Sequence, residues 1–168
     1  MMSSPKGLNS LQLWEALSQN TSTQHFFDGV YALDQLKNIK SKPKLVLGNT
    51  DPQHKPGKHW LLFFFNEDGT TMDFFDSLGK PPQDYPRAIP DFIQKWSSEV
   101  YYIPNRIQPV GSALCGHYCL YYAYSKSIGE SMEDIMSHMP SSGWIEKCIP
   151  ILFKITRIHS DCQTCRCN

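Results

Sequence analysis

In the stretch Gly111-Ser112-Ala113-Leu114-Cys115-Gly116-His117, a cysteine stands between a loop of small residues and an apolar run. From Cys115 to Ser125 no turn signal interrupts the chain, which predicts a buried helix with Cys115 in its first turn. A helix N-terminus favours the thiolate over the thiol, so a cysteine there is a strong nucleophile. Gly116 removes a side chain beside the sulfur and would let a substrate backbone approach closely. The competing reading makes Cys115 one more buried cysteine at a loop-to-helix junction. A partner must decide between them.

The partner would be a base. His59 follows a loop with two prolines and a glycine, Asp51 to Lys58, and precedes an apolar run, a position from which functional side chains project. His25, His54, His117, His138 and His159 read plainly as surface or hydrogen-bonded structural residues, and that reading is open to His59 as well. Asp76 ends the next apolar run, where a carboxylate can accept from an imidazole N–H, fix its tautomer and stabilise the imidazolium. Otherwise it is a turn residue ahead of Ser77 and Gly79. Gln108, seven residues before Cys115, carries an amide that could donate to a developing oxyanion alongside the Cys115 N–H, or it is a polar loop residue.

For these residues to meet, the elements between them must fold back. Trp60 to Phe65 and Thr71 to Phe75 read as strands joined by the turn Asn66-Glu67-Asp68-Gly69. An antiparallel pair sets the start of one strand beside the end of the other, so His59 and Asp76 meet at the sheet edge. Upstream, Leu8, Leu11, Trp14 and Leu17 form an apolar stripe on a helix; Phe26 to Tyr31 is an aromatic turn, Leu33 to Lys37 a short helical segment and Leu45 to Leu47 a strand. Downstream, Tyr85 to Ser97 reads as a helix with Ile89, Phe92, Ile93 and Trp96 inward, and Val100 to Ile103 as a third strand. Short helices follow around Met132 to His138 and Trp144 to Ile158. The class is α+β, a small antiparallel sheet packed with helices. With no repeat or composition shift, residues 1–159 form one domain, and 160–168 a loose cysteine-rich tail.

Composition narrows the function classes. At 168 residues the chain is long enough for one core, and its 40% hydrophobic and 19% charged residues exclude a disordered chain. Sixteen Lys plus Arg balance sixteen Asp plus Glu, so no net field draws it to nucleic acid or an anionic membrane. The apolar run Trp60 to Phe65 is far below the roughly 20 residues of a membrane span. Met1 to Asn20 lacks the apolar stretch of a secretory signal, so the protein is expected inside a cell with its cysteines as thiols. None of the six cysteines precedes Cys115, which is poor spacing for a disulfide framework. Cys119 and Cys148 read as core, and Cys162, Cys165 and Cys167 lack a second ligand pair, so no metal site is expected.

Taken together, His59-Trp60, Asp76 seventeen residues on, Gln108, and Ser112-Ala113-Leu114-Cys115-Gly116 resemble the adenovirus protease (adenain) family and its relatives, the SUMO-specific proteases. In that family a His-Trp pair opens one strand, an acidic residue ends the next and a Gln precedes a Cys-Gly pair. The Phe-x-Gly-x-Tyr-x-x-Asp pattern from Phe27 to Asp34 resembles the family's N-terminal segment. The resemblance covers residues 10–155 and implies a papain-like fold in the permuted order His, Asp, Cys. It further implies cleavage after glycine, in Gly-Gly or Gly-x-Gly sites, with Trp60 and Gly116 beside the substrate. The implied role is maturation of capsid precursors of a virus, an adenovirus-like one or a Polinton-type element. It would be carried out by a monomer in the host nucleus or the virion, without membrane attachment.

Two features depart from the adenoviral pattern. Asp76 replaces the usual Glu, as in the SUMO-protease branch. No cysteine lies between Trp60 and Leu114 to tether an activating peptide, and the charge balance disfavours DNA. The resemblance implies a peptide or DNA activator, whereas the residues lead us to expect that none is required. The rival functions are a protease of ubiquitin-like modifiers, an acyltransferase using the same triad, and a non-catalytic binding module.

Overall fold

Six consecutive apolar residues in a strand point alternately to opposite faces, so Trp60–Phe65 needs cover on both sides of its sheet. The computed structural model, which describes residues 7–155, supplies that cover. Its sheet comprises β1 (Phe27–Tyr31), β2 (Leu45–Asn49), β3 (Trp60–Phe65), β4 (Thr71–Phe75) and β5 (Glu99–Tyr101), in that spatial order. The helices are α1 (Ser10–Gln19), α2 (Ala88–Trp96), α3 (Cys115–Ser127), α4 (Met132–Ser137) and α5 (Ser142–Leu152). Trp60, Leu62 and Phe64 pack with α1, α3 and α5 on one face. Leu61, Phe63 and Phe65 pack with α2 and the 3₁₀ segment Leu33–Asn38 on the other. Phe63 meets Phe74 of β4 and the edge of Phe92 of α2, the offset geometry aromatic rings prefer.

The sheet is mixed rather than antiparallel. Only β2–β3–β4 run antiparallel; the outer pairs β1–β2 and β4–β5 are parallel. A parallel neighbour needs a crossover connection, and the chain provides one twice, through the 3₁₀ segment between β1 and β2 and through α2 between β4 and β5. Phe27–Tyr31 is accordingly an edge strand, not an aromatic turn. The hairpin turn is as expected, with Gly69 at φ 80° and the Asp68 carboxylate accepting from the N–H groups of Thr70 and Thr71.

Helix α2 begins at Ala88, not at Tyr85. Pro86 disfavours the helical conformation in the residue before it, and Tyr85 is extended, at φ −102° and ψ 164°. The third strand and the last helix are shifted or shorter than expected, at Glu99–Tyr101 and Ser142–Leu152. Residues 156–159 and the tail from 160 lie outside the described residues. Among those described, no helix is long and apolar enough to cross a membrane.

Helix α1 is rotated relative to the expected stripe. Asn9 and Gln12 form a capping box, each side chain meeting the other's backbone N–H, and this starts the helix after Leu8. Leu13, Ala16 and Leu17 face the core, whereas Leu11 and Trp14 are 53% and 51% exposed. Steps of three residues each fall about 60° short of a full turn, so the four apolar residues spread around the helix, while 13, 16 and 17 share one side. Leu13→Ala should therefore cost about 2–5 kcal/mol, whereas Leu11→Ala should stay within about 0.5 kcal/mol of the parent; urea unfolding of the two variants checks the phase.

Candidate active site

His59 and Asp76 flank the β3–β4 hairpin, one residue before β3 and one after β4. His59 Nε2 lies 2.6 Å from Asp76 Oδ1, and both residues are buried. The loop that delivers His59 is closed at its base by Asn49, whose Oδ1 accepts from the N–H groups of Asp51 and Lys58. The His59 carbonyl accepts from Thr50 N–H. Nothing in the local sequence singled out Asn49; its role depends on bridging nine residues.

The Asp76 carboxylate has four donors. Oδ1 takes the Leu78 N–H beside His59; Oδ2 takes the Lys80 N–H and the Tyr85 hydroxyl. Burial alone pushes its pKa up, but the hydrogen bonds and charge of His59, with Tyr85 and Leu78, outweigh it and hold the carboxyl below its ordinary range. An ionised Asp76 only accepts, so His59 donates to it through Nε2. Burial and Asp76 push the Tyr85 hydroxyl far up, so it stays protonated and donates.

Cys115 opens α3 against the start of β3. A Cβ placed on Gly116 would lie 3.4 Å from Trp60 Cδ1 and 3.2 Å from Leu8 Cβ, and the Cys119 thiol faces the Trp60 carbonyl at 3.6 Å. The residue after Cys115 thus packs on the residue after His59. Leu114 at the N-cap offers no capping side chain, and the helix end directs its partial positive charge toward Cys115.

Gln108 is buried beside the same hairpin end. The Ser77 hydroxyl donates to Gln108 Oε1 at 2.6 Å, and Nε2 donates to the Ser112 carbonyl at 2.8 Å, which leaves the second amide hydrogen for another acceptor. The Ser77 carbonyl accepts from both Ile107 and Gln108 N–H. Gly79 permits this docking: it sits at φ +71°, and a Cβ there would lie 2.5 Å from the Asn105 carbonyl carbon. One loop after β4 therefore holds both the acid that orients His59 and the segment that carries Gln108.

Trp60 is 5% exposed, with Nε1 donating to the Leu8 carbonyl at 2.9 Å, so packing is its first role. It also lines a cleft of about 270 Å³ with Leu8, Val30, Ala32, Asp51 and Pro56. Gly116 is buried, and its open side is filled by Leu8, Leu13 and Trp60; its small size serves helix packing rather than substrate approach. Cys119 is core as expected, but Cys148 is only half-buried. His117 is buried with Nδ1 unpaired, and burial pulls its pKa down to about 4, which makes it a poor base. Among the described residues no cluster of three or more His, Cys, Asp or Glu could hold a metal ion. Tyr85 and Ser77 escaped the sequence reading; the only local signals were Pro86, which takes Tyr85 out of the helix, and Ser77's adjacency to Asp76.

No family model matches the chain. A protein of Acanthamoeba polyphaga mimivirus that bears the name of a thiol protease is 29% identical over 113 residues, covering 63% of this chain. The chain spans only 37% of that relative's length. Among solved structures, the ASFV pS273R protease superposes with a TM-score of 0.66 at 15% identity, over 92% of this chain and 69% of that one. Its selenomethionine form gives 0.58 at 16% identity, over 92% and 70%. The central domain of an uncharacterized Legionella pneumophila protein gives 0.50 at 8% identity, over 89% and 94%. The chain has the fold of the ASFV pS273R protease. In that fold the permuted order His59, Asp76, Cys115 brings the three elements described above to one end of the sheet.

Two outcomes follow from the site's geometry. Gly79→Ala should destabilise the protein by more than about 1 kcal/mol in urea unfolding, because alanine is strained at positive φ and has no room beside Asn105. His117 has a folded pKa near 4 against an ordinary 6.5, so the unfolded chain binds the extra proton first. Its contribution is complete above about pH 6.5 and falls as pH drops toward 4. The depressed Asp76 adds a loss in the same direction at lower pH, as pH falls through its folded value. Unfolding free energies across this range should decline, with a shallower decline in His117→Leu.

Proposed function

We propose that this protein is a cysteine endopeptidase that cleaves after glycine. The observation that carries the reading is the buried His59–Asp76 pair at the hairpin end, packed beside the helix start that holds Cys115. His59 Nδ1 takes the proton from the Cys115 thiol, and the thiolate attacks the substrate carbonyl carbon. The oxyanion is held by the Cys115 backbone N–H and the second Gln108 amide hydrogen. The tetrahedral intermediate collapses as the imidazolium passes its proton to the leaving amine, giving a thioester. Water, deprotonated by His59, then releases the carboxylate product and restores the thiol.

The shared fold and the thiol-protease name of the mimivirus relative support the peptidase chemistry. The glycine preference rests on the family resemblance. The viral origin of the mimivirus relative supports precursor processing, capsid proteins above all, by a monomer acting in the host nucleus or the virion. Neither DNA nor a peptide activator is required in this reading, since no cysteine between Trp60 and Leu114 can tether one and the net charge is zero.

The test is mass spectrometry of a peptide library cut by the reduced protein, with ubiquitin-like modifier fusions in parallel and DNA added or omitted. Cleavage after glycine should require reductant and vanish in Cys115→Ala and His59→Ala, while Asp76→Asn keeps residual turnover because the nucleophile survives. Gln108→Ala should lower kcat by roughly 10²–10³-fold with KM little changed, since its contact strengthens only as oxyanion charge develops. Turnover by purified Cys115→Ala would sink the assignment, and preferential cleavage of modifier fusions would redirect it to that substrate class.

A further inference from the structure

The Tyr85 side chain touches both partners of the His59–Asp76 pair. Its hydroxyl donates to Asp76 Oδ2, the oxygen that does not face His59. Its ring is stacked on the His59 imidazole, with centroids 6.1 Å apart and planes at 17°. A third contact, with Phe74 of β4 at 6.3 Å, anchors the ring to the sheet. Pro86 holds the Tyr85 backbone extended, and the Tyr85 N–H donates to the Pro82 carbonyl at 3.2 Å, so the side chain starts from a fixed point.

We propose that Tyr85 is a positioning residue of the active site, acting through Asp76 and His59 together, a role that rests on the peptidase reading above. The backbone N–H groups of Leu78 and Lys80 locate the carboxylate, one on each oxygen. The hydroxyl adds a side-chain donor to Oδ2 and so resists rotation of the carboxylate plane, which keeps Oδ1 on His59. The ring lies along one face of the imidazole and limits its rotation away from Asp76. Both restraints act on the same coordinate, the orientation of the His59 ring against Asp76. A tyrosine that only filled space between the 3₁₀ segment Pro82–Asp84 and β4 would need the ring but not the hydroxyl.

Tyr85→Phe separates the two restraints, because it removes the hydroxyl and keeps the ring. In the reduced full chain it should lower kcat about tenfold with KM within about twofold, and in an Asp76→Asn background it should cost less than about twofold more. In Cys115→Ala protein, the low-field proton NMR resonance of His59 Nε2–H should shift when Tyr85→Phe is added. That signal needs no turnover: a shift in a protein without peptidase activity would keep the role of Tyr85 and overturn the proposed reaction instead. A resonance unmoved by Tyr85→Phe, or an equal loss of kcat with and without Asp76→Asn, would overturn the positioning role.

Discussion

A carboxylate taken out of water must have both oxygens paired, and the end of the β3–β4 hairpin is organised around meeting that requirement for Asp76. Its four donors come from a loop neighbour, a residue four further on, a side chain nine residues on and a histidine seventeen residues back. Satisfying one charge therefore folds the loop, fixes the tautomer of His59 and draws in Tyr85. The same loop, through Ser77 and Gly79, docks the segment that carries Gln108. His59, Asp76 and the segment carrying Gln108 are thus held together through the loop from Asp76 to Tyr85.

A second buried carboxylate on the same strand fixes the remaining element. Asp73 of β4 accepts from the Tyr122 hydroxyl at 2.8 Å and pairs with Lys126 at 2.9 Å, both on α3. Near its other end, α3 meets the start of β3 through Cys119 and Gly116. The helix is held at both ends to the two strands that flank the site, which sets where its first residue, Cys115, sits. Such a pair stabilises little after desolvation, but it has few alternative arrangements; its value here is the fixed direction of the helix.

The sheet makes these attachments rigid. Because β3 is buried on both faces, it cannot shift by one residue without exchanging two equally apolar sets, so apolarity alone does not define its register. The hairpin turn at Asn66–Gly69 and the pairing of Asp73 do so instead. Catalysis in this fold requires chain segments far apart in sequence to meet within a hydrogen bond's length, and fixed register is what makes that reproducible.

The sequence by itself determined the two central strands, whose bounds follow from apolar runs between turn residues, the start of α3, and the convergence of His59 and Asp76, which antiparallel geometry requires. It also supplied Cys115 and Gln108 through spacing that resembles a known family. It did not determine the parallel outer pairs, because strand direction is set by crossovers packing on a sheet rather than by local pattern. The inward face of α1 was likewise decided by its packing on β1 and α3, not by the three-residue spacing. Tyr85, Ser77 and Asn49 were invisible for a common reason: a hydrogen-bonding side chain's partner is defined only in three dimensions, and a tyrosine, a serine or an asparagine has no sequence signature for the carboxylate, amide or backbone it will meet.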